Sequence, residues 1–235
     1  MIIPTYNEAE SLPILLRELA VLGKDLNYLV VDDGSPDGTA DICERLKSEI
    51  PTLEILRRSK KSGLGSAYRD GYRYALEKNF DAVIQIDADG SHQVSDLPNL
   101  MSKFESNPSI DLVIGSRWIK GGSVLNWSKH REVLSRLANI YSNLLLGLDV
   151  KDSTAGFRIY KTSAIKKLNL GNIKSEGYCF QIEMTREIKK VGGIVSEVPI
   201  TFVERQFGKS KMSGNIVIEA MLRVTYWGLS RVFRK

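Results

Sequence analysis

Cysteine and histidine are scarce in this chain of 235 residues, which contains two of each. Cys43 and Cys179 lie far apart in the sequence, so we expect neither a disulfide framework nor a zinc site. Two such cysteines are typical of small core residues and of a protein that works in a reducing compartment. His92 and His130 have no matching metal-ligand partner in the sequence, and we interpret both as peripheral.

Long apolar runs are also missing. No stretch reaches the roughly 18 apolar residues that identify a membrane-spanning helix, so we expect none. The chain begins almost inside its first motif, and we expect no signal peptide. The Gly-x-x-x-x-Gly-Lys-Ser/Thr pattern of P-loop nucleotidases is absent at the strand–helix turns, which argues against that class.

Positive charge is concentrated at the C-terminus. The net charge is +5, and the stretch Gln206–Lys235 alone contains six cations and one anion. A basic tail suggests an anionic partner, such as a membrane surface, a nucleic acid or a phosphorylated substrate. The tail lacks nucleic-acid motifs and aromatic stacking platforms, so we expect no nucleic-acid partner.

Strand and helix patterns alternate four times in the first 90 residues. The predicted strands are Met1–Ile3, Tyr28–Val31, Leu53–Arg57 and Ala82–Ile86, with helices ending near Leu22, Ile50 and Lys78. Short connections between alternating elements predict an α/β fold with a Rossmann-like, mostly parallel central sheet flanked by helices.

The second half of the chain is less regular. Its predicted elements are a helix near Asp96–Glu105, a strand at Asp111–Gly115, an irregular stretch over 121–127, a helix from Lys129 to about Leu146, a short strand after Asp152–Arg158, a helix at Cys179–Val191, a strand at Ile194–Val198 and a last helix from Asn215 to about Phe233. The Lys129–Leu146 helix has an apolar face, and Arg131 and Ser135 lie four residues apart on it.

Two strands of the first half end in paired carboxylates. Asp32 and Asp33 follow the second strand, and Asp87 and Asp89 follow the fourth. Parallel strands bring these groups to one sheet edge, where open α/β sheets bind ligands. A hard divalent cation would relieve the repulsion between the carboxylates and dock phosphate oxygens. The alternative is a strand followed by an ordinary acidic turn.

A family resemblance rests on the order and number of such motifs. Pro4-Thr5-Tyr6-Asn7-Glu8, Val31-Asp32-Asp33-Gly34-Ser35 and Asp87-Ala88-Asp89 together resemble the inverting GT-A enzymes of glycosyltransferase family 2. Later segments are similar to those of dolichol-phosphate mannose synthases: Gly115-Ser116-Arg117, Arg131 with Ser135, the segment 154–158, the segment 177–183 and the segment 205–211. The resemblance runs from Met1 to about Asn215.

The resemblance implies a GT-A fold and a set of site residues. The implied donor-binding residues are Pro4, Tyr6, Glu8, Val31, Asp33, Asp87, Ala88, Asp89, Arg205 and Lys211. The implied ligands of Mg²⁺ or Mn²⁺ are Asp87, Asp89 and Ser91, and Ser91 stands where the family often has glutamine. The implied acceptor-phosphate residues are Arg117, Arg131 and Ser135, and the implied catalytic residues are Asp89, Arg117 and Arg131.

The implied reaction is inverting transfer of mannose from GDP-mannose to a polyprenyl or dolichyl monophosphate. A phosphate acceptor is already anionic and needs cations rather than a general base, which agrees with the arginines. The same transfer of glucose from UDP-glucose is the first alternative. A polysaccharide synthase is a second, although we find neither the Gln-x-x-Arg-Trp motif nor the base carboxylate of those enzymes. A nucleic-acid-binding module and an inactive relative are the others.

The sequence divides at about residue 213. We expect a catalytic domain over 1–213 and a basic amphipathic helix over 214–235 that contacts a membrane surface. In that arrangement Tyr226, Trp227, Leu229, Val232 and Phe233 enter the lipid, and Arg231, Arg234 and Lys235 meet the head groups. The alternative is a helix packed on the domain. The resemblance also implies a peripheral location on the cytoplasmic face of a membrane, and small membrane-anchoring subunits as further partners.

Overall fold

The structure is a computed structural model that describes residues 1–22, 26–205 and 214–232, without the side chains of 214–217 and 231–232. The strands are β1 (Ile2–Thr5), β2 (Tyr28–Asp32), β3 (Leu53–Arg57), β4 (Ala82–Gln85), β5 (Ile110–Ser116), β6 (Ser123–Leu125), β7 (Arg158–Lys161), β8 (Ile194–Pro199) and β9 (Thr201–Val203). The helices are α1 (Ser11–Val21), α2 (Thr39–Leu46), α3 (Leu64–Glu77), α4 (Leu97–Glu105), α5 (Lys129–Leu146), α6 (Thr162–Lys166), α7 (Gly177–Lys190) and α8 (Gly214–Val232), with a 3₁₀ turn at Val94–Asp96.

Seven of these strands form one central sheet in the order β3-β2-β1-β4-β7-β5-β8. β1 pairs in parallel with β2 and β4, β2 with β3, and β5 with β8, which confirms the predicted Rossmann-like, mostly parallel α/β sheet. β7 runs antiparallel to both of its neighbours, β4 and β5. Its first residue, Arg158, therefore lies at the edge where the parallel strands end.

Side chains alternate across the sheet because successive residues of a strand point to opposite faces. Ile2 and Leu29 belong to one buried cluster with residues of α3, α7 and α8, whereas Ile3 and Val30 belong to a second cluster with residues of α1, α2 and α4. Helices thus cover both faces. Cys43 and Cys179 are buried in these clusters, as predicted.

The small sheet of β6 and β9 is absent from the sequence-based prediction, which made 121–127 irregular and did not place a strand at 201–203. These three-residue strands pair in parallel, from Ser123↔Thr201 to Leu125↔Val203, although about 75 residues of chain separate them. Segments this short carry too few residues for an alternating pattern to be detected.

Helix α8 packs on the domain as well as presenting a face outward. Val224 and Trp227 are buried in the same cluster as residues of α7, and a Cβ on Gly228 would lie 3.1 Å from Leu145 of α5. The expectation that Trp227 enters lipid is therefore wrong, because the residue is 8% exposed and its ring lies under the Arg186 guanidinium. Tyr226 and Leu229 are exposed. The other members of that predicted set (Arg231, Val232, Phe233, Arg234, Lys235) lie outside the described side chains.

Candidate active site

The Asp89 carboxylate lies just beyond the end of β4 and is already paired with a cation. Its Oδ1 accepts hydrogen bonds from the backbone N–H and the hydroxyl of Ser91, at 3.1 and 2.5 Å. Its Oδ2 lies 3.0 Å from Nη2 of Arg205. The side chain is largely buried, so a positive partner is needed to offset the cost of removing the carboxylate from water.

Asp87 faces a different set of partners. Tyr68 donates a hydrogen bond from its hydroxyl to Oδ1 at 3.1 Å, and Nε2 of His92 lies 3.4 Å from Oδ2. Burial alone would raise the pKa of Asp87, but His92 and Tyr68 favour the carboxylate and lower the pKa overall. The interpretation of His92 as peripheral is wrong: it is 3% exposed and belongs to the site. His130 is exposed, as predicted.

A cleft of about 350 Å³ opens beside these carboxylates. Its lining contains many of the predicted site residues, namely Pro4, Glu8, Asp87, Ala88, Asp89, Ser91, Arg117, Arg131 and Arg205. Tyr6 lies nearby, and Nζ of Lys61, which also lines the cleft, is 4.0 Å from the centre of its ring. Six of the predicted donor residues and both predicted acceptor arginines therefore share one cavity.

Asp33 and Val31 are placed behind the cleft rather than in its lining. Val31 is fully buried in the core. Asp33 accepts hydrogen bonds from the backbone N–H groups of Ser62 and Gly63 at 3.0 and 3.1 Å, and its Oδ1 lies 2.7 Å from Nη1 of Arg58. The carboxylate thus ties the end of β2 to the loop that leads into α3.

Arg117 is held by a carboxylate that the sequence did not single out. Its Nε and Nη2 each donate to Asp152 at 2.7 Å, and Nη2 also donates to Thr154 at 2.8 Å. Burial alone would raise the pKa of Asp152, but the Arg117 charge and its hydrogen bonds outweigh burial and lower the pKa. The side chains of both Arg117 and Asp152 are buried. Asn139 of α5 completes the cluster by donating to Thr154 at 3.1 Å.

The loop carrying Asp152 and Thr154 is fixed by Arg158, a fully buried residue at the start of β7. Its guanidinium donates to the backbone carbonyls of Ser153 and Ala155 at 2.7 and 2.6 Å. The antiparallel course of β7 brings this loop to the carboxyl edge of the parallel strands. Arg158 belongs to the resembling segment 154–158 and Asp152 to the loop before it, but only the fold shows which groups they contact.

Arg131 lies in the first turn of α5, where Ser128 caps the helix by accepting a hydrogen bond from its backbone N–H at 3.3 Å. Its Nη1 lies 2.7 Å from Oε1 of Glu204, and its guanidinium stacks 4.1 Å from the centre of the Trp127 ring. The Arg117 guanidinium lies 5.4 Å from the same ring. Trp127 is therefore a shared platform for the two arginines.

A second, apolar groove of about 530 Å³ runs between α5, α7 and α8. Arg131, Thr154 and Tyr178 line both this groove and the cleft, so the two cavities meet at Arg131. Ser135, one turn after Arg131, lines the groove and not the cleft. The remaining groove residues are Leu134, Leu137, Ala138, Ile140, Tyr141, Leu144, Ile182, Ala220, Met221 and Val224.

Apolar side chains on α5 and α8 are also exposed around the groove. They are Val133, Leu134, Leu137, Ile140 and Leu144 of α5 and Ile218, Met221, Leu222, Tyr226 and Leu229 of α8. We call this set the α5–α8 face. Among the residues that the structure describes, none of the helices combines the length and the apolar character needed to span a bilayer. Lys211, predicted to contact the donor, lies outside the described residues.

The chain is similar in sequence to one protein family and to two glycosyltransferases of that kind. Residues 1–168 match the family model for glycosyl transferase family 2. The chain is 47% identical over 229 residues to an undecaprenyl-phosphate mannosyltransferase of Micrococcus luteus, covering 97% of this chain and 93% of the relative. It is 44% identical over 230 residues to a polyprenol monophosphomannose synthase of Mycolicibacterium smegmatis, covering 97% and 86%.

Solved structures of the same fold are more distant in sequence. A Mycobacterium tuberculosis glucosyl-3-phosphoglycerate synthase, crystallised with Mn²⁺ and UDP-glucose, has a TM-score of 0.68 at 18% identity, covering 98% of this chain and 77% of its own. The mannosyl-3-phosphoglycerate synthase of Rubrobacter xylanophilus also has a TM-score of 0.68, at 20% identity, covering 99% and 72%. These similarities show the GT-A fold. The chain is a glycosyltransferase that belongs to glycosyl transferase family 2.

Proposed function

We propose that this enzyme transfers mannose from GDP-mannose to the phosphate of a polyprenyl monophosphate, with inversion at the anomeric carbon. The observation that carries the proposal is the meeting of a cleft lined by charged side chains and an apolar groove at Arg131. A nucleotide sugar suits the first cavity and an isoprenoid chain suits the second. Support comes from the two relatives above, whose names state mannose transfer to undecaprenyl phosphate and synthesis of polyprenol monophosphomannose.

On the donor side, Asp87, Asp89 and Ser91 would hold Mg²⁺ or Mn²⁺. These three metal ligands fit a hard cation because each side chain offers an oxygen atom. Asp89 also already pairs with a cation, the Arg205 guanidinium. The bound ion would neutralise the diphosphate as the bond to the sugar breaks. Pro4, Tyr6, Glu8 and Ala88 would surround the nucleoside and sugar, Val31 and Asp33 would support them from behind, and Arg205 and Lys211 would contact the diphosphate.

On the acceptor side, Arg131, Arg117 and Ser135 would receive the lipid phosphate. A phosphate oxygen attacks the anomeric carbon and forms the new C–O bond, while the old bond to the diphosphate breaks and its electron pair leaves with GDP. The chain's own residues place the two anions side by side, which is costly without cations between them. Arg131 contacts Glu204 through Nη1, so the acceptor phosphate would either share the guanidinium with that carboxylate or replace it.

The α5–α8 face would lie on a membrane surface, on its cytoplasmic side, so that the lipid acceptor enters the groove from the bilayer. We retain 1–213 as the catalytic region and 214–235 as the membrane-contacting helix, and we add the exposed residues of α5 to that contact. Small membrane-anchoring subunits would bind this same face. An exposed apolar area of this kind is typical of a membrane or protein interaction site.

Changing the α5–α8 face should weaken membrane binding. A double substitution, Leu137→Asp and Leu144→Asp, removes two side chains that are 57% and 80% exposed. Each leucine contributes up to about 1.5–3 kcal/mol when fully buried, so we expect about 10- to 100-fold weaker binding to anionic vesicles in co-sedimentation. Val21→Asp is the matched control, because Val21 is 86% exposed on α1, which covers the opposite sheet face. Equal binding by both variants would contradict the assignment.

The reaction itself is tested by transfer of radiolabelled sugar into an organic-extractable lipid. With undecaprenyl phosphate and Mg²⁺ or Mn²⁺, GDP-mannose should yield labelled lipid, UDP-glucose should yield much less, and unlabelled GDP should inhibit more strongly than UDP. Chelation of the metal should abolish transfer. Efficient glucose transfer with no mannose transfer would contradict the donor and favour the glucosyltransferase. Transfer to water-soluble acceptors alone would contradict the acceptor.

A further inference from the structure

Tyr68 is a rigid donor to Asp87. It is fully buried in α3, and its ring stacks on Phe180 with centroids 5.8 Å apart and nearly parallel planes. The Tyr72 ring lies 6.3 Å away on the same helix. A hydroxyl held by this packing cannot follow the carboxylate if the carboxylate rotates, so its 3.1 Å hydrogen bond fixes the orientation of Oδ1.

His92 approaches the other oxygen from a position that is equally constrained. Its ring lies 5.3 Å from Phe157 and 5.2 Å from Phe202, with the second contact edge-on, and its backbone bridges to that of Phe202. Within the described part of the chain neither ring nitrogen has a partner of good hydrogen-bond geometry, although Nε2 lies 3.4 Å from Asp87 Oδ2. A buried imidazole whose nitrogens lack hydrogen-bond partners is costly, unless one nitrogen interacts with a neighbouring charged group such as Asp87.

Gly156 leaves room for this arrangement. A Cβ built at Gly156 would lie 3.1 Å from Asp87 Oδ2 and 3.3 Å from His92 Nε2. Those distances are tighter than ordinary contacts, so any side chain here would push the two groups apart. At Gly156 the loop thus approaches Asp87 by its backbone alone.

The two carboxylates of the site differ in what holds them. Asp87 is oriented by residues of the packed interior, from α3 and from the loop after β4. Asp89 is held by the neighbouring Ser91 and by Arg205, whose long side chain must give way if a metal ion binds there. The orientation of the Asp87 carboxylate is therefore fixed before a metal ion binds. The Asp89 carboxylate must exchange Arg205 for the ion.

We infer that Tyr68 and His92 are positioning residues that hold the Asp87 carboxylate in the orientation required for a metal–diphosphate complex. The identity of the nucleotide in this inference rests on the proposed function. The role of Tyr68 and His92 does not depend on it. Groups that orient a metal ligand commonly change metal affinity about 10- to 100-fold when they are removed. Tyr68 and His92 should therefore act on binding that depends on the metal, and not on the nucleotide alone.

The experiment compares GDP binding by calorimetry with and without Mn²⁺, in wild type and variants, and Mn²⁺ binding by electron paramagnetic resonance. Tyr68→Phe should weaken Mn²⁺-dependent GDP binding about 10- to 100-fold and leave metal-free GDP binding unchanged. Tyr72→Phe is the matched control: Tyr72 is also fully buried in α3 and stacks in the same cluster, but its hydroxyl has no hydrogen-bond partner among the described residues. The Tyr72→Phe protein should bind GDP like the wild type, with and without Mn²⁺.

His92 is tested by a pair of substitutions. His92→Leu removes the ring nitrogens and should lose Mn²⁺-dependent affinity to the same extent as Tyr68→Phe. His92→Gln places an amide nitrogen the same number of bonds from Cα as Nε2 and should recover most of the loss. Thermal unfolding of each variant verifies that the core is intact.

Several outcomes overturn the inference. Equal behaviour of the Tyr68→Phe and Tyr72→Phe proteins does so, as does an equal loss of metal-free and metal-dependent binding, which would indicate a structural role only. Equal losses for both His92 variants would limit His92 to packing. If the wild type binds UDP and not GDP, the proposed donor fails, and the same comparison with UDP still decides the inference. If Mn²⁺ strengthens neither nucleotide, the inference itself is wrong.

Discussion

Replacing Asp89 with asparagine should lower kcat/KM for mannose transfer by roughly 10³-fold, which corresponds to about 4 kcal/mol of lost transition-state stabilisation. The amide keeps one oxygen for the Ser91 hydrogen bonds but removes the negative charge that pairs with Arg205 at 3.0 Å. Because a hard cation prefers charged oxygen ligands, the variant should hold Mn²⁺ weakly and should require a higher metal concentration for half-maximal rate.

The control for this substitution is Asp111→Asn. Asp111 accepts a hydrogen bond from the backbone N–H of Ile194 at 2.9 Å, at the opposite edge of the sheet, so the same change of charge occurs away from the cleft. Initial rates across a Mn²⁺ titration, measured with GDP-mannose and undecaprenyl phosphate, separate the two variants. A fully active Asp89→Asn enzyme with an unchanged metal requirement would remove Asp89 from its proposed role.

The sequence was sufficient to predict the edge at which Asp89 lies. Strand and helix patterns alternated regularly from β1 to β4, and that alternation determines a parallel sheet whose carboxyl ends share one edge. The placement of Asp87 and Asp89 follows from this rule alone. Similarly, Arg131 could be assigned to the first turn of a helix because α5 begins and ends where its pattern indicated.

The partners of these residues could not be predicted in the same way. Asp152 lies 35 residues from Arg117 and contacts it only because β7 inserts antiparallel between β4 and β5, a pairing that no local pattern encodes. His92 was misinterpreted because a single histidine has no periodicity. Its position, directly after Ser91 in the acidic loop, was the one available signal.

The two apolar helices illustrate a further limit. A stripe of leucines at helical spacing predicts a buried face, and it does so whether the burying medium is protein or lipid. In α5 the stripe divides: Tyr141 and Leu145 pack against the core, while Leu137 and Leu144 are exposed. In α8 the aromatic pair divides in the same way, with Trp227 inside and Tyr226 outside. Only the packed structure distinguishes these cases.

Replacing Arg131 with alanine should impair the acceptor side of the reaction selectively. Loss of a charged hydrogen bond to phosphate removes about 1.5–3 kcal/mol, so kcat/KM for polyprenyl phosphate should fall about 10- to 150-fold, while GDP affinity stays close to that of the wild type. Arg131→Lys should recover only part of the loss, because an ammonium lacks the planar fork that matches two phosphate oxygens and stacks on Trp127.

Arg136→Ala is a close control for this change. Arg136 lies on the same helix, stacks 4.2 Å from the Trp118 ring and pairs with Glu132 at 2.9 Å, so it reproduces the aromatic and acidic contacts of Arg131 away from the cleft lining. Initial rates over a range of undecaprenyl phosphate concentrations, at saturating GDP-mannose, should show a raised KM for Arg131→Ala alone. If the two alanine variants behaved alike, Arg131 would be a structural partner of Glu204 and Trp127, and the acceptor phosphate would have to bind elsewhere.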